Sequence, residues 1–126
     1  MSAITEYILI VEDDENIRSM LQTALEMKAY SLSFARDGLE ALVLLQTTTP
    51  SLILLDLNLP HMNGYTLLEM LEEQRPELSL RIIIITADAR AATRLAQKPV
   101  KIILKPFSLQ ALIALIEEML KSEKNK

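Results

Sequence analysis

Four nearly unbroken apolar runs stand out along the chain: Tyr7 to Val11, Leu52 to Asp56, Arg81 to Thr86 and Val100 to Leu104. A run without polar alternation is what a strand covered on both faces looks like. The consecutive isoleucines of the third run are strong strand chemistry and a poor helix surface. Tyr30, Leu32 and Phe34 alternate as a further strand. Between the strands the apolar positions change to three-and-four spacing: Ile17, Met20, Leu21, Ala24 and Leu25; Leu39, Ala41, Leu42 and Leu45; Leu67, Leu68 and Leu71; Leu109, Leu112, Ile113, Ile116 and Leu120. Each set predicts an amphipathic helix, the first with acids in its opening turn and the last capped by Ser108. Thr47 to Pro50 breaks the chain before the central strand. His61-Met62-Asn63-Gly64 reads as a turn with Gly64 in an unusual backbone angle, and Pro76 ends the helix that follows. Strands alternating with helices call for a parallel sheet covered on both faces by right-handed crossovers.

At 126 residues the chain has room for one domain and one sizeable core. We expect that domain over residues 5–121, with a solvated tail over 122–126. The formal net charge of -4 is too mild to signal nucleic-acid or membrane binding. The balance is uneven, however: Arg81, Arg90, Arg94, Lys98, Lys101 and Lys105 stand against Asp88 alone, so one face is expected to be basic. There is no cysteine, which fits a reducing compartment, and no apolar stretch long enough to span a bilayer. The start lacks a basic end followed by an apolar signal region, and the expected location is the cytoplasm.

The chemistry lies at the strand ends. Asp13 and Asp14 follow the first strand, Asp56 ends the central one, Thr86 ends the run of isoleucines, and Lys105 follows the last strand. Singly, these residues read as a solvated helix start, a strand terminator, a strand-end hydroxyl and a surface charge. Jointly they gather on the carboxyl edge of an open parallel sheet, where ligands bind. Carboxylates held about 4 Å apart repel by roughly 4 kcal/mol per pair at an effective dielectric near ~20, so such a cluster protonates or holds a cation. An all-oxygen donor set with open positions suits Mg2+. Thr86 and Lys105 then supply a hydrogen bond and a positive charge for phosphoryl oxygens, with Asp56 as nucleophile, and the arrangement predicts an aspartyl phosphate.

With Val11-Glu12-Asp13-Asp14, Leu54-Leu55-Asp56-Leu57-Asn58-Leu59-Pro60, Met62-Asn63-Gly64, Thr86-Ala87 and Lys105-Pro106-Phe107 at these spacings, the chain from Tyr7 to Leu120 resembles a receiver domain of a two-component response regulator. The resemblance implies a flavodoxin-like sheet of order 2-1-3-4-5, with the site between the first and third strands. It implies Asp56 as phosphoacceptor and Asp13, Asp14, Asp56 and the backbone carbonyl of Asn58 around Mg2+. Lys105 is implied on the phosphoryl group, Thr86 as the switch hydroxyl beside a small Ala87, and a cis bond before Pro106. The implied donor is a phosphohistidine on a histidine kinase or phosphotransfer protein. Asn58 and Asp88, each two residues past a site residue, are expected beside the path of an attacking water and to favour fast self-dephosphorylation.

Two departures from the family pattern are visible. Ile102 stands where an aromatic switch residue is usual, and the segment from Thr86 to Lys105 is short and lacks an acidic pair, which predicts a short or displaced fourth helix. A haloacid-dehalogenase-type phosphatase would also use a strand-end aspartate, but its second acid two residues on is Asn58 here. A receiver-like adaptor that works without phosphorylation is the other alternative. The sole histidine, His61, reads as a solvated loop residue. No output domain is expected, so signalling is assigned to protein contacts. The proposed surface is a second apolar row on the last helix, Ala111, Leu115 and Met119, bordered by Arg90, Arg94, Lys98 and Lys101, for a downstream protein or a second copy.

Overall fold

The computed structural model describes residues 6–124, and side chains as far as Lys121. The elements run β1 (Tyr7–Val11), α1 (Glu15–Glu26), β2 (Ser31–Ala35), α2 (Gly38–Leu45), β3 (Leu52–Asp56), α3 (Gly64–Gln74), a 3-10 helix (Pro76–Arg81), β4 (Ile82–Thr86), α4 (Ala91–Arg94), β5 (Lys101–Leu104) and α5 (Leu109–Lys124). All strand pairs are parallel and the order is β2-β1-β3-β4-β5, the doubly wound arrangement expected.

The unbroken apolar runs are explained by the two faces of the sheet. Ile8, Ile10, Leu52, Leu54, Ile83 and Ile85 point to one face, where they meet Leu21 and Leu25 of α1 and Leu112, Ile116 and Leu120 of α5. Their neighbours Leu9, Val11, Ile53, Leu55, Ile82 and Ile84 point to the other face, against α2, α3 and α4. Each such side chain is worth about 1.5–3 kcal/mol when taken fully out of water, so both faces demand a helix layer.

Helix α4 is a single turn, as the sequence suggested. Only Ala91 and Leu95, four residues apart, reach the core from this segment, which is enough to seat one turn. The 3-10 helix is an addition to the expected pattern: Pro76 opens it with a backbone angle already suited to a helix start, and Leu78 is fully buried. Helix α5 continues through Lys124, into the solvated tail expected over 122–126; the rest of that tail and residue 5 lie outside the described residues. Two details correct the sequence expectations. Met20, placed on the core stripe of α1, and Leu39, placed on that of α2, are exposed. Leu115 and Met119, taken as an uncovered row on α5, pack partly against the α1–α5 core, while Ala111 is exposed. Among the described residues no helix is long and apolar enough to cross a membrane.

Candidate functional site

The carboxyl ends of β1 and β3 bring two carboxyl groups together. Their register pairs Ile10 with Leu54 and Val11 with Leu55, so the next residues along are Glu12 and Asp56. The alternation that sends Ile8, Ile10, Leu52 and Leu54 toward α1 and α5 sends Glu12 and Asp56 the same way. Both are buried, at 2% and 3% exposure.

Lys105 is the charge that compensates them. Its backbone N–H donates to the Thr86 carbonyl at 2.7 Å, extending the β4–β5 pairing by one residue, and its bond to Pro106 is cis. From there Nζ reaches Asp56 Oδ2 at 2.9 Å and Glu12 Oε1 at 3.1 Å. The other Asp56 oxygen, Oδ1, accepts from the Asn58 backbone N–H at 3.0 Å. Burial, followed by the neighbouring Asp56, pushes the Glu12 carboxyl up to about 7, against the opposing pull of the Asp14 N–H and Lys105. Burial by itself lowers Lys105, but the hydrogen bond and charge of Asp56, together with Glu12, outweigh it and hold the ammonium above its ordinary value.

Oxygens of Glu12, Asp13 and Asp56 lie within 4.8 Å of one another. Asp14 is not part of this group. Its Oδ1 accepts from the Ile17 N–H at 3.0 Å and caps α1, a position where an aspartate satisfies an otherwise unpaired helix donor. The place the family pattern implies for Asp14 belongs geometrically to Glu12, the first of four successive acids in the sequence. Strand parity was the available signal, since Glu12 continues the inward alternation of β1 and Asp14 follows the chain's turn into α1. Three convergent carboxylates, two of them buried around one ammonium, fit a hard divalent cation such as Mg2+.

Thr86 is buried at 1% exposure, and its Oγ1 accepts from the Asp88 N–H at 3.0 Å. Parity places it with Ile82 and Ile84 on the α4 side of the sheet, opposite to the side taken by Asp56. Ala87, Lys105, Pro106 and Phe107 face Ile17 and Met20 across a largely apolar cavity of about 430 Å³ beside the site. Ile102 is partly buried against the α2–α4 core. Asp88 accepts from the Tyr65 hydroxyl of α3 and from its near neighbour Arg90.

Gly64 serves the site differently from the way expected. No glycine has a positive φ; within this turn that conformation falls on His61, at 65°, whose Nδ1 lies 2.8 Å from Asp37 Oδ2. Gly64 is required for space, because a Cβ there would come within 2.5 Å of the Leu57 Cα and 2.7 Å of the Asp56 carbonyl oxygen. The N-terminus of α3 is thereby pressed against the backbone that carries Asp56.

Residues 8–117 match the response regulator receiver domain model. The chain is 36% identical over 121 residues to a probable transcriptional regulator ycf27 of Cyanophora paradoxa, covering 94% of this chain and 49% of that protein. It is also 36% identical over 122 residues to the response regulator ArlR of Staphylococcus saprophyticus, covering 94% of this chain and 54% of that protein. The chain thus spans about half the length of these curated relatives. The crystal structure of a CheY-like response regulator receiver domain protein from Methanospirillum hungatei superimposes with a TM-score of 0.86 at 27% identity, covering 97% of this chain and 98% of that one. With its sheet order, its acidic pocket and these matches in agreement, the chain belongs to the response regulator receiver domains of two-component signalling.

Proposed function

We propose that the chain accepts one phosphoryl group on Asp56 from a phosphohistidine of a histidine kinase or phosphotransfer protein, in the cytoplasm, and signals through protein contacts that depend on it. The observation that supports this most is Lys105 Nζ at 2.9 Å from Asp56 Oδ2, beside a group of carboxylates, with Thr86 one residue beyond Ile85, the partner of Asp56 on the neighbouring strand. An Asp56 oxygen attacks phosphorus, the P–N bond breaks, and the imidazole nitrogen leaves with the bonding pair. Lys105 is placed to shift from the carboxylate to a phosphoryl oxygen as charge moves outward. The Thr86 hydroxyl, whose oxygen accepts from the Asp88 N–H, would turn toward Asp56 to donate its O–H to another phosphoryl oxygen. Glu12, Asp13 and Asp56, with the Asn58 carbonyl implied by the resemblance, would hold Mg2+, which neutralises phosphoryl charge when bound.

Incubation with acetyl phosphate and Mg2+, followed by intact-mass measurement, tests the assignment. The mass of one phosphoryl group is expected on the parent protein and absent from Asp56→Asn. Label persisting in that variant, or forming equally with the metal chelated, overturns it.

For the output, the edge formed by α4, β5 and α5 remains our assignment for a downstream protein or a second copy, supported by the exposed Lys101 and Leu104 on β5. Arg94 and Lys98 are engaged with Tyr65 and Glu72 of α3, so Lys101 is the better residue to reverse in a binding assay.

A further inference from the structure

Tyr65 is the second residue of α3, directly after Gly64, and its contacts reach beyond its own helix. Its hydroxyl donates to Asp88 Oδ2 at 3.2 Å, and the Arg94 guanidinium lies 3.8 Å from its ring centroid. Asp88 is two residues past Thr86, and Arg94 ends α4. A continuous set of contacts therefore runs from Thr86 Oγ1 to the Asp88 N–H, from the Asp88 carboxylate to the Tyr65 hydroxyl, and from the Tyr65 ring to Arg94.

Helix α4 has few other anchors. It is one turn long and has no side-chain cap, and the segment enters the core through Ala91 and Leu95. The second Asp88 oxygen, Oδ1, accepts from Arg90 N at 2.9 Å and Arg90 Nε at 3.1 Å, so the two oxygens of one carboxylate hold the start of the α4 segment and α3 together. Beyond α4, Lys98 Nζ pairs with Glu72 Oε1 at 2.8 Å, again on α3. β5, by contrast, offers Lys101, Ile102, Ile103 and Leu104, none of them aromatic, and Ile102 has no polar end with which to follow a moving hydroxyl.

We propose that Tyr65 is the positioning residue that couples Thr86 to α4. The proposal rests on Asp56 being the phosphoacceptor. The Thr86 oxygen accepts from the Asp88 N–H, so it cannot turn toward a phosphoryl group without stretching that bond, and leaving a partly buried donor unpaired is costly. Residue 88 follows the hydroxyl. Because Asp88 holds Tyr65 and Tyr65 holds Arg94, the shift biases where the single turn of α4 docks, which gives the phosphoryl group different affinity for two arrangements of that segment.

The test uses the full chain, 15N-labelled, with Mg2+ and beryllofluoride as the phosphoryl mimic. In the parent protein, backbone amide shifts are expected both near Asp56 and Thr86 and across Ala91 to Leu95. In Tyr65→Leu, which loses hydroxyl and ring, the shifts near Asp56 persist while those across Ala91 to Leu95 are more than halved. Tyr65→Phe keeps the ring under Arg94 and is expected to fall between, a graded result that a merely destabilised fold would not produce. Arg94→Gln, which leaves the Tyr65 side chain intact, should also more than halve the α4 response. Unchanged α4 shifts in Tyr65→Leu overturn the coupling. Parent protein responding at Asp56 but not across α4 overturns it too, whereas no response anywhere overturns the phosphoacceptor assignment and the coupling with it.

Discussion

Glu12 and Asp56 take the first positions beyond the β1–β3 ladder, and a single ammonium, Lys105 Nζ, lies 3.1 Å from one and 2.9 Å from the other. Two buried carboxyl groups compensated by one cation leave an excess of negative charge at the edge of the sheet, and the neighbouring Asp13 adds to it. This imbalance is what a divalent ion would relieve.

Glu12→Gln is expected to weaken Mg2+ binding by about tenfold or more, since it removes a charged oxygen while keeping the shape of the side chain. Asp14→Ala is expected to leave Mg2+ binding unchanged and to cost about 1 kcal/mol of stability, because Asp14 caps α1. Calorimetric Mg2+ titration and urea unfolding of both variants check this; equal loss of binding in Asp14→Ala contradicts it.

The Glu12 carboxyl at about 7 makes the site pH-dependent. Its folded value lies above the ordinary carboxylate range, so between the two values the folded state holds the proton and the unfolded state does not. Its contribution to the stability of the metal-free protein is therefore full at acid pH and declines as pH rises from about 4.5 through about 7. Mg2+ competes with that proton, so binding tightens as pH rises to about 7 and releases protons below it. Titrations in buffers of different ionisation enthalpy at pH values on either side measure the release.

Lys105→Ala leaves two buried carboxyl groups without their ammonium. Phosphoryl uptake is expected to slow by about 100-fold, the usual effect of removing one preorganised donor from a site of this kind. The Glu12 carboxyl should rise further, because the charge that lowers it is gone. Uptake kinetics with acetyl phosphate and a carboxyl titration by NMR check the two effects.

Gly64→Ala places a methyl group 2.5 Å from the Leu57 Cα, where backbone has to move. We expect a loss of about 1–3 kcal/mol, the usual cost of overpacking, together with slower uptake, because the displaced backbone carries Asp56. Denaturant midpoints and uptake rates on the same variant test it, and normal uptake would show that the displacement stops short of Asp56.

Asn58 is exposed and its backbone N–H is bonded to Asp56, which leaves its side chain at the mouth of the site. Asn58→Arg is expected to lengthen the life of the phosphorylated protein by shielding it from water. Loss of label followed by mass after removal of donor measures this; a shorter life contradicts it.

The sequence by itself determined the strands, the helix faces apart from Met20 and Leu39, and the gathering of Asp56, Thr86 and Lys105 at one edge. These follow from local periodicity: apolar runs leave a strand no solvent face, and parallel strands joined by helices must end on the same side. It also pointed to a short or displaced α4, because the segment from Thr86 to Lys105 is short beside the family pattern and lacks its acidic pair. Strand parity favours Glu12 over Asp14, but only the tertiary structure decided that Glu12 stands opposite Asp56, since that depends on the register between two strands separated by α1, β2 and α2. The same holds for Gly64, whose need is for space against Leu57 and not for a special angle, and for Leu115 and Met119, which the sheet and its neighbours partly cover. Tyr65 meeting Asp88 and Arg94 is likewise a contact across elements, fixed by how α3 and α4 dock on one face of the sheet, and no spacing along the chain encodes it.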